Sequence, residues 1–150
     1  MKTIFDKSTR DELVQRINSL NEKNEPVWGK MNVYQMHKHC TIWNEWVLGT
    51  KDFVYKQDFI GKIFGRMALK SNTKDDKPIG KNMPAGKAFT VKEKVNDLTT
   101  LKSIWIEQIK SYENYSNDNF IHDFFGKMTK EQIGIFAFKH NDHHLRQFNA

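Results

Sequence analysis

The chain has one cysteine, Cys40, so it can form no internal disulfide and no multi-cysteine zinc site. It has only three prolines. No run of about 18 apolar residues occurs, so no membrane-spanning helix is expected. Met1-Lys2-Thr3-Ile4-Phe5-Asp6 contains no apolar leader core and no cleavage site, and a cytoplasmic location is expected. Period-2 alternation of useful length is missing, which argues against a sheet protein. There is no internal repeat, no low-complexity tract, and no nucleic-acid-binding motif. A zincin-type HExxH is absent too, because Asn141 stands where the glutamate would be. Nor does any evident Ser/His or Cys/His pairing supply a nucleophile of the chain's own.

What remains is 150 residues, 28% charged and 38% hydrophobic, consistent with one globular domain. The net charge is +6. Between residues 51 and 87 there are nine Lys/Arg against four Asp, so one segment carries most of the excess. The plain reading is a solvated crossover. The functional one is attraction of an anionic substrate, with nucleic acid or an anionic membrane as a weaker alternative; among partners, neither nucleic acid nor membrane is expected.

Helical spacing dominates. Ser8 or Thr9 opens a first helix with Leu13, Ile17 and Leu20 inward, ending near Asn21–Asn24 before Pro26. A second runs from about Asn32 to Leu48 and stops at Gly49. In the long connection that follows, Gln57 to Lys70 reads as a short amphipathic helix. Phe59, Ile60, Ile63, Phe64 and Met67 share one side of it, and Gly61 and Gly65 weaken it. Ser71 to Lys87 reads as irregular structure crossing over one end of the domain. A third helix starts at Val91 or Asn96 and reaches Tyr115. The last begins at a capping box, Thr129 with Gln132, and runs to Gln147. The fold class expected is all-α: a four-helix bundle with a long crossover between helices two and three that carries a short extra helix.

The inward stripe of the last helix ends in imidazoles. At 100° per residue, His140 and His144 lie about 40° apart and one turn from each other, with Ile133, Phe136, Ala137 and Gln147 on the same side. Imidazoles do not belong in a dry core without partners. On the second helix His39 is central to the inward face, flanked by Gln35 and Trp43, whereas His37 points to the outer side and is expected at the surface. Should His39 and the terminal pair meet at one end of the domain, they form a three-histidine site with an open position, the pattern of a catalytic metal. Zinc, nickel and iron suit such a set alike. His143, one residue from His144, competes with it as a ligand on spacing alone. Gln147, His143, Gln35 and Trp43 are the candidates for orienting the ligands or facing substrate. His122 has no neighbouring histidine and reads as structural or exposed. Cys40 reads as a small buried hydrophobe. Ile135, Phe138 and Leu145 give the last helix a second apolar face, which suggests a homodimer unless the crossover helix covers it.

Trp28-Gly29-Lys30-Met31-Asn32, Met36-His37-Lys38-His39-Cys40, Phe124-Phe125-Gly126-Lys127-Met128-Thr129 and the terminal His140, His144, Gln147 resemble a branch of small uncharacterised proteins. That branch lies within the DinB/YfiT-like superfamily of metal-binding four-helix bundles. Where wider members carry Arg-Gly-Gln, this chain has Leu145-Arg146-Gln147. The resemblance implies a divalent-metal triad of His39, His140 and His144. It also implies relatives that use low-molecular-weight thiols such as bacillithiol or mycothiol. The function expected is therefore a metal-dependent, thiol S-transferase-like enzyme acting on a small molecule with an anionic thiol as cosubstrate. A metal-dependent hydrolase and a non-catalytic metal-binding or stress-response protein are the rivals. Asp142, the one carboxylate on the last helix close to the ligands, points away from them, which tilts the reading away from hydrolysis and leaves Glu45 or an aspartate of the crossover as the carboxylates that could still reach in.

Overall fold

The computed structural model describes residues 1–83, 86–95 and 97–150. The chain is mostly helical: α1 (Lys7–Ser19), α2 (Val33–Leu48), α3 (Phe59–Thr73), α4 (Leu98–Ser111) and α5 (Lys130–Gln147). Short 3₁₀ turns at Lys87–Phe89 and Tyr112–Asn114 precede and extend α4. The connector before α5 is a small antiparallel hairpin, β1 (Ile121–His122) with β2 (Gly126–Lys127), where no strand was expected. Its two-residue strands are too short to leave a period-2 signal. The alternative helix start at Asn96, and Pro84-Ala85 of the irregular stretch, lie outside the described residues.

Local chemistry explains most boundaries. Thr129 and Gln132 form the expected capping box of α5, and Asn32 with Gln35 forms another on α2. Gly49 ends α2 with φ +69°, a conformation that costs a glycine little. Asp58 and Asp97 cap α3 and α4 through their side chains. α1 begins at Lys7, slightly before the expected Ser8 or Thr9, and ends at Ser19 rather than near Asn21–Asn24. Buried Arg10 ties its start down by donating to the Phe5 carbonyl at 2.5 Å.

α4 packs against α1 and α2, and α5 against α1, α2 and α3. Leu13, Ile17, Met36, Cys40, Trp105, Ile109 and Leu145 are fully buried among them. Through this apolar core runs one polar network. Asn141 Oδ1 accepts from Trp105 Nε1 at 2.7 Å and from Asn44 Nδ2 at 3.1 Å. Asn44 Oδ1 accepts from Tyr112 Oη at 2.8 Å. The Asn141 amide also donates to the Ala137 carbonyl at 2.8 Å. The network therefore joins α2, α4 and α5 with its polar atoms satisfied.

α3 sits outside this core and is turned the other way round. Gly61, Gly65, Leu69 and Thr73 face inward, while Phe59, Ile60, Ile63, Phe64 and Met67 face solvent. A Cβ at Gly61 or Gly65 would collide with the Phe124 carbonyl, so the two glycines allow the backbones to meet. Buried Lys139 anchors the far end, donating to the carbonyls of Asn72, Asp75 and Lys77 at 2.8, 2.5 and 2.9 Å. The second apolar face of α5 is covered within the chain: Ile135 and Leu145 are buried and Phe138 is half-buried. The N-terminal segment lies across it, with Ile4 N donating to the Gly134 carbonyl. The observation that suggested a homodimer is thereby accounted for without a second chain.

Replacing Asn141 with Leu leaves the Trp105 indole and the Asn44 amide short of partners inside the core. The loss expected in urea unfolding is about 2–4 kcal/mol, whereas Glu107→Ala, which breaks only an exposed ion pair, should cost less than about 1 kcal/mol.

Candidate metal centre

Helix phase brings His39 from α2 and His140 and His144 from α5 to one point. One ring nitrogen of each lies within 4.8 Å of the others, and the cluster could hold a metal ion. His39 Nε2 and His140 Nε2 are 3.3 Å apart. A tetrahedral ion with bonds of 2.0–2.1 Å needs ligand nitrogens roughly 3.3–3.4 Å apart. One pair already has that separation, and the cluster as a whole is slightly more open.

The outer nitrogens decide what the inner ones can do. His39 Nδ1 donates to the Phe89 carbonyl at 2.8 Å, which leaves its Nε2 lone pair facing the cluster. Gln147 Nε2 donates to the Trp28 carbonyl at 2.8 Å, so Gln147 Oε1 is the end that accepts from His144 Nδ1 at 3.0 Å. The His144 Nε2 lone pair is thereby free as well. Ring orientation through a carbonyl or amide on the far nitrogen is what metal-binding histidines need. His140 differs: its ring stacks on Trp43, centroids 3.9 Å apart, and its buried Nδ1 has no hydrogen-bond partner among the described residues. Lone pairs that converge on an imidazole with an unsatisfied buried nitrogen suit a cation better than they suit one another.

Burial holds these imidazoles neutral. It lowers the pKa of His39, and it takes His140 and His144 well below the ordinary imidazole range, with the neighbouring histidines adding to the effect. Neutral imidazole is the ligand form.

The cluster forms one wall of a cavity of about 440 Å³. Trp43, Trp46, Phe89, Phe125 and Phe136 make its lining largely aromatic, and Ile79 and Met83 of the crossover also line it. A second cavity of about 370 Å³ adjoins it, sharing Met31, Met83, Phe89, His143 and His144 and adding Lys30, Asn82, Thr90 and Gln147.

The remaining candidates separate cleanly. Gln147 touches His144, and Trp43 stacks on His140. His143 stands outside the cluster, edge-on to Trp28 and hydrogen-bonded to the Ile79 backbone, and it lines both cavities. Gln35 is spent on structure: its Oε1 caps Asn32 N at 3.1 Å and its Nε2 donates to the Val91 carbonyl at 3.1 Å. His37 corrects the expectation of a surface residue, since it is fully buried. Its Nδ1 sits 2.9 Å from the Val33 carbonyl and its ring edge-on to Trp105, because α4 covers the side of α2 opposite the cluster. His122 is buried, not exposed, and it lines the cavity. Its Nδ1 lies 2.9 Å from Asp123 Oδ1, a contact that holds the Asp123 carboxyl below its ordinary range. Asp123 and Asp58 also line the cavity, whereas Asp142 turns away to Arg16 at 2.8 Å. His122 ends β1 and Asp123 follows it in the hairpin, whose two-residue strands leave no periodicity to flag them.

A family model described as "Protein of unknown function (DUF1569)" matches residues 4–150. No curated protein and no solved structure matches the chain.

Metal analysis of untagged variants checks the ligand set. His39→Ala and His144→Ala should each weaken metal retention by more than about tenfold, since removing a ligand costs at least what removing a group that orients a ligand does. His122→Ala and His37→Ala should keep the metal, with His37→Ala losing stability instead. Release of metal by His37→Ala as complete as by His39→Ala would contradict the assignment. Acid is the second probe. The folded pKa of His37 is lowered to about 4 from 6.5, and those of the three clustered histidines are lowered too. The unfolded chain therefore binds more protons below pH 6.5, so this stability is present above that pH and is lost as the pH falls toward 4. The midpoint of thermal unfolding of metal-free protein, followed across that range, should fall steadily.

Proposed function

Because the chain belongs to the DUF1569 family, whose description leaves its function open, we propose from the site itself a divalent-metal-dependent enzyme of thiol S-transferase type. The observation that carries the proposal is the convergence of three neutral imidazoles on the wall of an aromatic cavity. The resemblance of Trp28–Asn32, Met36–Cys40 and the terminal His140, His144 and Gln147 to DinB/YfiT-like proteins supports the same reading. In that reading α1, α2, α4 and α5 are the four helices of the bundle and α3 rides on the crossover.

His39, His140 and His144 hold the metal, with zinc, nickel and iron all compatible with imidazole donors. When bound, the ion supplies positive charge that three neutral ligands leave uncompensated, and this favours deprotonation of an incoming thiol near neutral pH. The chain's own residues do the rest. Phe89 and Gln147 fix the tautomers of His39 and His144, and Trp43 holds the plane of His140. The aromatic wall excludes water and receives an apolar electrophile. The adjoining cavity, with Lys30 at its rim, suits the acidic body of a cellular thiol. Cys40 offers no competing nucleophile: it is fully buried, and burial raises its pKa well above the ordinary thiol range. A cytoplasmic setting, where small thiols stay reduced, fits the chemistry.

One observation favours a second reading. Asp123, paired with His122, and Asp58 bring carboxylates to the same cavity, and a carboxylate there could accept a proton from water. Metal-dependent hydrolysis is the alternative that this supports.

Metal-loaded protein supplied with several low-molecular-weight thiols and a model electrophile should consume both, and activity should disappear with His39→Ala. Turnover of model esters or amides with no thiol effect, abolished by Asp123→Asn, would replace transfer with hydrolysis. Silence in both assays would leave a metal-binding protein without catalysis.

A further inference from the structure

α3 presents solvent with an apolar surface that no described residue of the chain covers. Phe59, Ile60, Ile63, Phe64 and Met67 are 77%, 61%, 59%, 50% and 69% exposed. They fall within an arc of roughly 140° at 100° per residue. Just upstream, Val54 is 92% exposed. Five large apolar side chains on one exposed helix face are far from the scattered single residues normal at a monomer surface. The inward face of the helix, built on Gly61 and Gly65, is already engaged with the Phe124 backbone, so α3 cannot roll over to bury the stripe.

Within the helix the charges beside the stripe are all positive, while Asp58 stands at its N-cap and Asp75 and Asp76 follow its C-cap. Lys62, Arg66 and Lys70 follow one another at four-residue spacing along its edge, exposed, and the helix contains no acidic residue. Lys56 precedes it, Lys74 caps its end, and Lys127 lies next to Arg66, which donates to the Lys127 carbonyl. Apolar side chains bordered by cations on a surface helix match the chemistry of an anionic bilayer interface, in which the apolar side enters the acyl boundary and the cations meet headgroup phosphates.

A second copy of the chain fits less well. It would bring the same basic stripe and another +6 of net charge to the contact. A 15-residue helix, about 22 Å long and 10–12 Å across, also offers a footprint well below the roughly 800 Å² per partner of a stable dimer. No helix among the described residues is long and apolar enough to cross a membrane, so the contact is a surface one.

We propose that the outward face of α3 docks the protein peripherally on an anionic phospholipid surface, through the apolar stripe Phe59, Ile60, Ile63, Phe64 and Met67 and the cations Lys62, Arg66 and Lys70. The test is co-sedimentation of the full-length protein with phosphatidylcholine vesicles, with and without phosphatidylglycerol. Binding is expected only with phosphatidylglycerol, and it should weaken as salt is raised. Each of Lys62→Gln, Arg66→Gln and Lys70→Gln should lower partitioning about fivefold. The double substitution Ile63→Ser, Phe64→Ser should lower it at least as much as all three together; since both side chains are exposed, circular dichroism should be unchanged. Absence of binding to phosphatidylglycerol vesicles would overturn the proposal. So would full binding by the serine double variant, which would leave only nonspecific charge attraction. A concentration-dependent dimer in sedimentation that the same double variant abolishes would assign the face to a second copy instead.

Discussion

The pair Asn44–Asn141 is the constraint on which the arrangement of α2 and α5 depends. Two buried amides with a Trp105 indole and a Tyr112 hydroxyl can all be satisfied in only one register of α2, α4 and α5. Apolar contacts alone would tolerate a slide or a small rotation, because dispersion and burial are not directional. Hydrogen bonds inside a core are directional, and leaving one unmade costs more than making it gains. Asn141 is the neighbour of His140, and Asn44 lies little more than a turn from His39. The register that satisfies the amides is thus the register that brings the imidazoles together.

Holding three neutral imidazoles in a largely apolar wall creates its own requirement. A hydrogen bond on a ring's outer nitrogen offsets its desolvation and turns the other nitrogen toward the cluster, and two of the three rings have one. Two of the anchors come from segments distant in sequence: the Phe89 carbonyl from the turn before α4, and the Trp28 carbonyl, acting through Gln147, from the link between α1 and α2. These irregular segments have little periodicity to advertise them, yet they determine which nitrogen of each histidine faces the cluster. The third ring is steadied by stacking on Trp43 rather than by a hydrogen bond.

The crossover illustrates a different principle. Its helix has a strong apolar side, and by burial alone that side should face the core. The opposite side carries Gly61 and Gly65, which permit an approach to the Phe124 backbone that any side chain would prevent. Lys139 then holds the far end by its ammonium, taking the Asn72 carbonyl in the last turn and the Asp75 and Lys77 carbonyls just beyond it. Close backbone contact and a satisfied helix end thus set the orientation of α3.

Periodicity and caps in the amino-acid sequence by themselves determined the helical class, the capping box of α5, the stop at Gly49, and the inward side of α2 and α5 that carries His39, His140 and His144. These are local properties, set within one or two helical turns. Only the tertiary structure decided which outward-pointing residues also become buried. His37 lies on the side of α2 opposite His39 and would be exposed on an isolated amphipathic helix; α4 covers that side, and it is buried against Trp105. Gln35, in phase with His39, was drawn into a cap and a contact with Val91. His122 and Asp123 reached the cavity through a hairpin too short to pattern. The apolar side of α3 faces water because its glycines found a backbone to pack on. Apart from the Asn32 that Gln35 caps, the deciding partner lies far away in the chain in each case, and the spacing of residues along one helix carries no information about it.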